Sequence, residues 1–272
     1  MRRSESQLLE ATDRADDAAD PLARFARSYE TVSSAFSFAG GEREPDEEVV
    51  TAGLEGRTVT FEREGEDEWS RASSGEGVNE RQLARLRADL ALAVFLPPEA
   101  HAADDPWELG YGPFERLVGP LGPVGARQRR RMPGTGGGLD LAPSGLVEPL
   151  WLLLARAEGT ATFTPSEPEE GSELPRLATF EYRFEAVHDG AKHIVRGREA
   201  EAEDEVELVW EGTGTLAWDP ASGAIELALE GQLDLTEELR VRFGANGVTA
   251  ELEGSLAMNG PLELTASERR GE

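Results

Sequence analysis

Few residue types in this chain of 272 residues are suited to chemistry. It has three histidines, His101, His188 and His193, no cysteine, and 54 acidic residues. A two-residue turn at Asp189-Gly190 would set His188 opposite Ala191 and His193 opposite Ala186, making the two imidazoles diagonal neighbours on one sheet face. Two imidazole nitrogens and a carboxylate can hold zinc. The spacing supplies no third ligand, and histidines flanking a turn ordinarily serve as polar residues at a sheet rim. His188 and His193 are therefore a weak metal candidate, and no metal or other cofactor is expected.

Carboxylates are too numerous to point anywhere. Among 54 acids no pair of the glycosidase type stands out, so catalytic residues stay unassigned. Glu199, Glu201, Glu203, Asp204 and Glu205 are dense enough to attract calcium. They lack the glycine-turned spacing of a calcium loop, and a solvated hairpin tip is the expectation. Without cysteine there is no thiol nucleophile, disulfide or thiolate metal site. There is no Gly-x-Ser-x-Gly elbow. Gly134-Thr-Gly-Gly-Gly138 has no lysine after it and no strand before it, which argues against a phosphate cradle.

The charge balance excludes more. With 27 basic residues against 54 acidic ones the net charge is −27, which opposes nucleic acid and anionic membranes as partners. Lys192 is the only lysine. Codon supply in a GC-rich genome explains that arginine bias more simply than adaptation to salt. The sharpest local contrast is Arg127-Gln-Arg-Arg-Arg131. Docking onto the protein's own acidic surface is ranked first for it, ahead of nucleic-acid binding or a protease-sensitive loop. No apolar run approaches the ~20 residues that span a bilayer, and Leu150 to Leu154 is far too short. The start, Met-Arg-Arg-Ser-Glu-Ser-Gln, has no apolar region of a secretion signal.

The elements that must position any site follow from periodicity. Leu22, Phe25, Ala26, Tyr29, Val32 and Phe36 fall at 3-4 spacing after Asp20-Pro21, so residues 20–38 lean to helix although the end is rich in β-formers. Arg57 to Arg63 and Glu68 to Ser70 read as a hairpin with Trp69 packing near Phe61. Asn79 with Gln82 forms a capping box, and Val78 with Leu83 a hydrophobic staple. Leu83, Leu86, Leu90 and Val94 then make one stripe, and Pro97-Pro98 ends it. A second helix runs from about Pro113 to Val118. Residues 119–145, rich in glycine, proline and arginine, form a linker. A short helix follows, with Pro149 in its first turn and Leu150, Leu153, Leu154 and Ala157 inward.

From Thr160 onward the chain reads as strands. Phe180, Tyr182, Phe184 and Ala186 alternate. So do Val206, Leu208, Trp210, Gly212, Gly214, Leu216 and Trp218, and then Ile225, Leu227, Leu229, Gly231, Leu233 and Leu235. A turn at Pro220 to Gly223 pairs Trp218 with Ile225 and Trp210 with Leu233. That register puts the apolar residues on one face, and Glu207, Glu211, Glu226, Glu230 and Asp234 on the other. Asn246-Gly247 sets Phe243 against Ala250 and Val241 against Leu252. A three-residue loop at Asn259 to Pro261 would set Leu256 and Met258 against Leu264 and Leu262. Gly212 pairs with Gly231, and a bend is expected there.

Three blocks resemble a family of exported, β-rich proteins of planctomycete-type bacteria to which no activity is assigned. They are Leu54-Glu-Gly-Arg-Thr-Val-Thr-Phe; Phe95-Leu-Pro-Pro-Glu with Asp105-Pro-Trp107-Glu-Leu; and Gly214-Thr-Leu-Ala-Trp-Asp-Pro-Ala-Ser-Gly223. The resemblance covers roughly residues 45 to 267. Ala103-Asp104-Asp105-Pro106-Trp107 departs from the family's Val-Gly-Asp-Trp phrase, so the turn before Trp107 is expected to differ. The resemblance implies a periplasmic or envelope protein and carries over no functional residues. A truncated start would reconcile it with the absent signal, whereas a genuine start would make the chain cytoplasmic.

These readings converge on a mainly β, α+β chain in three parts. Residues 1–118 are an N-terminal α+β lobe, 119–145 the linker, and 146–272 a C-terminal curved antiparallel meander or half-barrel with one short helix. The expected function is a non-catalytic envelope scaffold, or a carrier of an apolar small molecule bound by Phe180, Tyr182, Phe184, Trp210 and Trp218 on a concave sheet. Apolar sheet faces are ordinarily packed cores, which favours the scaffold. The alternative is an acid-catalysed hydrolase of the carbohydrate type with a carboxylate pair between lobes. No protein partner or oligomeric state is assigned.

Overall fold

The computed structural model describes residues 2–15, 24–39, 46–50, 54–65, 68–73, 83, 86, 88, 92–98, 105–118, 150–168, 172–189, 200–245 and 248–268. These residues are mainly β, in two antiparallel sheets belonging to two separate units.

The first unit contains β1 (Arg2–Ala15), β2 (Arg24–Ala39), β3 (Asp46–Val50), β4 (Arg57–Arg63) and β5 (Trp69–Ser73). They pair in the order β1-β2-β4-β5, with β3 also on β2. The segment expected to be helical is therefore a strand. Phe25, Arg27 and Tyr29 are buried at a spacing of two, and Val32 is buried three residues later. The register explains the switch: Ala11 pairs with Tyr29 and Glu10 with Thr31, so Glu30 is an extra residue in a bulge. That added residue turns a period of two into the 4-3 spacing of Phe25, Tyr29 and Val32, which imitates a helix.

The β4–β5 hairpin forms as its alternation predicts, with Phe61 opposite Arg71. Phe25 stacks on Phe61 at 5.0 Å between centroids, and Trp69 meets the edge of Phe25 at 5.6 Å. The Arg27 guanidinium lies 5.3 Å from both the Phe25 and Phe61 ring centroids. It donates to Ala88 O at 3.1 Å, and Arg71 Nε donates to Leu86 O at 2.8 Å. Two arginines of the sheet thus hold the carbonyls of the 86–88 segment. Most of the capped helix expected from Asn79 lies outside the described residues. Leu86 is buried as expected, but Val94 is 37% exposed, in a 3-10 turn (Leu92–Phe95) that buries Leu92 and Phe95 instead.

The second unit holds β6 (Trp107–Gly110), α1 (Gly112–Val118), α2 (Leu150–Leu153), β7 (Glu158–Ser166), β8 (Arg176–Asp189), β9 (Ala200–Trp218), β10 (Ile225–Ala245) and β11 (Val248–Glu268). Its six-stranded sheet is a sequential meander, β11-β10-β9-β8-β7-β6, open rather than closed into a barrel. The expected boundary at Val118 moves. Trp107 pairs with Phe163, and Phe95 and Phe114 lie in the core of the larger sheet, so the stretch from residue 92 belongs with this unit. The linker at 119–145 lies outside the described residues.

The central hairpin has the anticipated register: Trp218 opposite Ile225, Leu216 opposite Leu227, Trp210 opposite Leu233 and Gly212 opposite Gly231. Phe243 opposite Ala250 and Val241 opposite Leu252 also follow it.

Three local readings do not hold. His188 pairs with Val206 and Asp189 with Glu205, so β8 does not fold back at Asp189-Gly190. The acidic run ending at Glu205 is no hairpin tip from residue 200 onward. It is β9 backbone, with Glu201 opposite Arg242, Glu203 opposite Arg240 and Glu205 opposite Glu238 in the register. Nor does the chain turn at Asn259 to Pro261. β11 runs straight through, placing Met258 opposite Leu235, Leu262 opposite Gly231 and Leu264 opposite Leu229. Leu256, Met258, Gly260, Leu262 and Leu264 never change phase, so the long apolar face of β10 can pair with all of them.

Pro261 fits this edge strand for a reason that can be followed from the turn. Asp219 N donates to Ala224 O at 2.9 Å, which makes 219 and 224 a hydrogen-bonded pair. Alternation then aims the even backbone groups of β10 at β9 and its odd ones at β11. The even residues of β11 answer them. The odd ones, Pro261 included, face the free edge, so its missing N–H removes no bond of the ladder.

Candidate functional site

Of the five aromatic residues expected to line a ligand cavity, Phe180, Tyr182, Phe184 and Trp210 are packed in the core instead. Phe180, Phe184 and Trp210 are at most 2% exposed, and Tyr182 is 4% exposed. Phe114 from α1 comes within 4.8 Å of the Phe184 ring centroid and 6.0 Å of Phe180. Phe163 stacks on Phe180 at 4.5 Å, and Tyr182 meets Trp210 at 5.0 Å. Trp218 stands apart at the end of this cluster, half-buried and edge-on to Trp107 at 6.2 Å. The first four are thus brought together, with α1 and α2 residues covering their face of the sheet.

The centre of that core has an unusual seat. Tyr182, Gly212, Gly231 and Leu262 form one rung across β8 to β11. The Tyr182 phenol lies over both glycines, where their side chains would otherwise be. Burial pushes its pKa up to about 12; the Trp210 indole N–H faces the phenol and offsets part of that rise, and the Glu230 charge adds to it. Tyr182 Oη and Trp210 Nε1 are nevertheless both buried without a hydrogen-bond partner among the described residues.

The hollow lies on the other face. Two neighbouring rungs of exposed side chains line a concavity of about 770 Å³. The first is Thr162, Glu181, Thr213, Glu230 and Glu263; the second is Thr164, Thr179, Thr215, Ala228 and Thr265. Alternation produces this array, because each of these residues is one step out of phase with the buried positions. Glu230 directly faces Glu263, a like-charge pairing that is destabilising when nothing intervenes. The next rung carries Arg183, but its guanidinium already pairs with Glu185 and Glu211, which raise its pKa further. Among the described residues Glu181, Glu230 and Glu263 have no ion-pair partner. The surface is negative and rich in hydroxyls, suited to cations and hydrogen-bond donors.

Sequence reasoning passed over this face because threonine and glutamate at alternate positions are what any solvated sheet shows. The available signal was Thr160, Thr162 and Thr164 on β7, repeated by Thr213 and Thr215 on β9. Of the histidine pair, His188 lies on β8, while His193 lies outside the described residues, as does His101. No group of three or more metal-ligating side chains converges among the described residues, and no helix there is long and apolar enough to cross a membrane. Comparison with protein families, with curated proteins and with solved structures finds no match to the chain.

Proposed function

We propose that this chain is a non-catalytic scaffold of the cell envelope that recognises a cationic partner on the solvent face of its six-stranded sheet. The observation that carries this reading is the threonine- and glutamate-lined hollow, where three carboxylates share one rung. With strands ~4.8 Å apart, Glu181 and Glu263 are separated by about 14 Å across the sheet. A short extended peptide with two or three basic side chains can span that distance. The envelope location rests on the family resemblance alone. The carrier version is less favoured, because Phe114 already occupies the space over Phe180 and Phe184.

Calorimetric titration with a Lys-Thr repeat octapeptide tests the proposal. The expected result is binding at low salt that weakens at least tenfold in the triple variant Glu181→Gln, Glu230→Gln, Glu263→Gln. Equal binding by the variant, or none by the parent, would overturn it. A fluorescent fatty-acid probe on delipidated protein checks the carrier version separately.

One observation favours a hydrolase, with its carboxylate pair within the six-stranded sheet rather than between lobes as expected. Glu230 and Glu263 are direct cross-strand neighbours, a pairing that places Cβ atoms ~4.5–5.5 Å apart and can bring two carboxyl groups to the separation of a retaining glycosidase. Release of reducing ends from a panel of oligosaccharides, abolished by either Glu→Gln change, would establish it.

A further inference from the structure

We draw no further inference here: the strongest candidate, the pair of buried polar atoms Tyr182 Oη and Trp210 Nε1 in the aromatic core of the six-stranded sheet, lies against Phe114 and Phe184 with nothing in the structure to show what group would reach it.

Discussion

Tyr182 occupies the side-chain space of Gly231, two strands away. A Cβ at Gly231 would run into the phenol oxygen and the Glu211 carbonyl, and one at Gly212 would lie 2.7 Å from the same phenol. The paired glycines are therefore where a large ring crosses the sheet; at Gly231 the phenol is the first atom a methyl group meets, whereas at Gly212 the Glu230 carbonyl and the Gly231 Cα are met before it. Gly231→Ala is expected to destabilise the second unit by about 1–3 kcal/mol, the cost of overpacking a filled core. Urea unfolding of the variant measures this. The change should be smaller in a Tyr182→Ala background, and additive losses would show that the ring is not what the methyl group meets.

The hydroxyl of Tyr182 itself contributes little. An orphaned buried donor costs free energy, so Tyr182→Phe should leave stability within about 1 kcal/mol of the parent, or raise it. The pH dependence has a definite sign. A phenol raised to about 12 in the fold and near 10 unfolded favours folding fully below pH 10. That contribution fades as pH rises from there through 12, because the unfolded chain ionises first. Unfolding measured across this window should show a decline that Tyr182→Phe reduces. An unchanged slope would mean that the phenol titrates normally.

What could be read in advance followed from unbroken alternation. The β9–β10 register was legible because Trp218, Ile225 and their neighbours fit one pairing, and a slip of one residue would expose them all. The bulge at Glu30 was not, since one added residue makes a strand look helical. Pro261 misled for a related reason: proline after Asn-Gly signals a turn, and only the position of β11 at the sheet edge makes it compatible with a strand. The aromatic residues alternate onto one face, but composition does not say whether a face is hollow or filled. Phe114, more than 60 residues before Phe180 in sequence, decided that.

The β9–β10 turn should be acid-sensitive. Asp219 accepts from Ala221 N at 2.9 Å and Ser222 N at 3.2 Å, and Gly223 closes the loop with φ 71°. The Ser222 side chain first, and then these backbone donors, hold the Asp219 carboxyl below the usual carboxylate range. A lowered folded-state pKa contributes stability that is present above the unfolded value and lost as pH falls through the folded one. Asp219→Ala should therefore lower the unfolding midpoint at neutral pH, and the gap from the parent should close on acidification. A gap of constant size from neutral pH to below the carboxylate range would assign the effect to turn shape rather than to charge.

The free edge of β11 presents a last, separable expectation. Its odd residues turn their backbone groups away from β10 along a strand that reaches from Val248 to Glu268, and no other described strand pairs with it there. Long open edges recruit other strands, and proteins block them with proline and charge. Pro261 removes a donor from the middle of this edge, and Glu251, Glu253 and Glu263 stand exposed along the same strand. Any strand added antiparallel across Pro261 loses one of its bonds there and meets the ring. Pro261→Thr restores the donor without adding charge, and should leave the β10–β11 ladder intact. Light scattering over a concentration series should then show more self-association in the variant than in the parent, and the difference should shrink when Ala257→Pro is added. Association unaltered by Pro261→Thr would mean that the charges alone protect the edge.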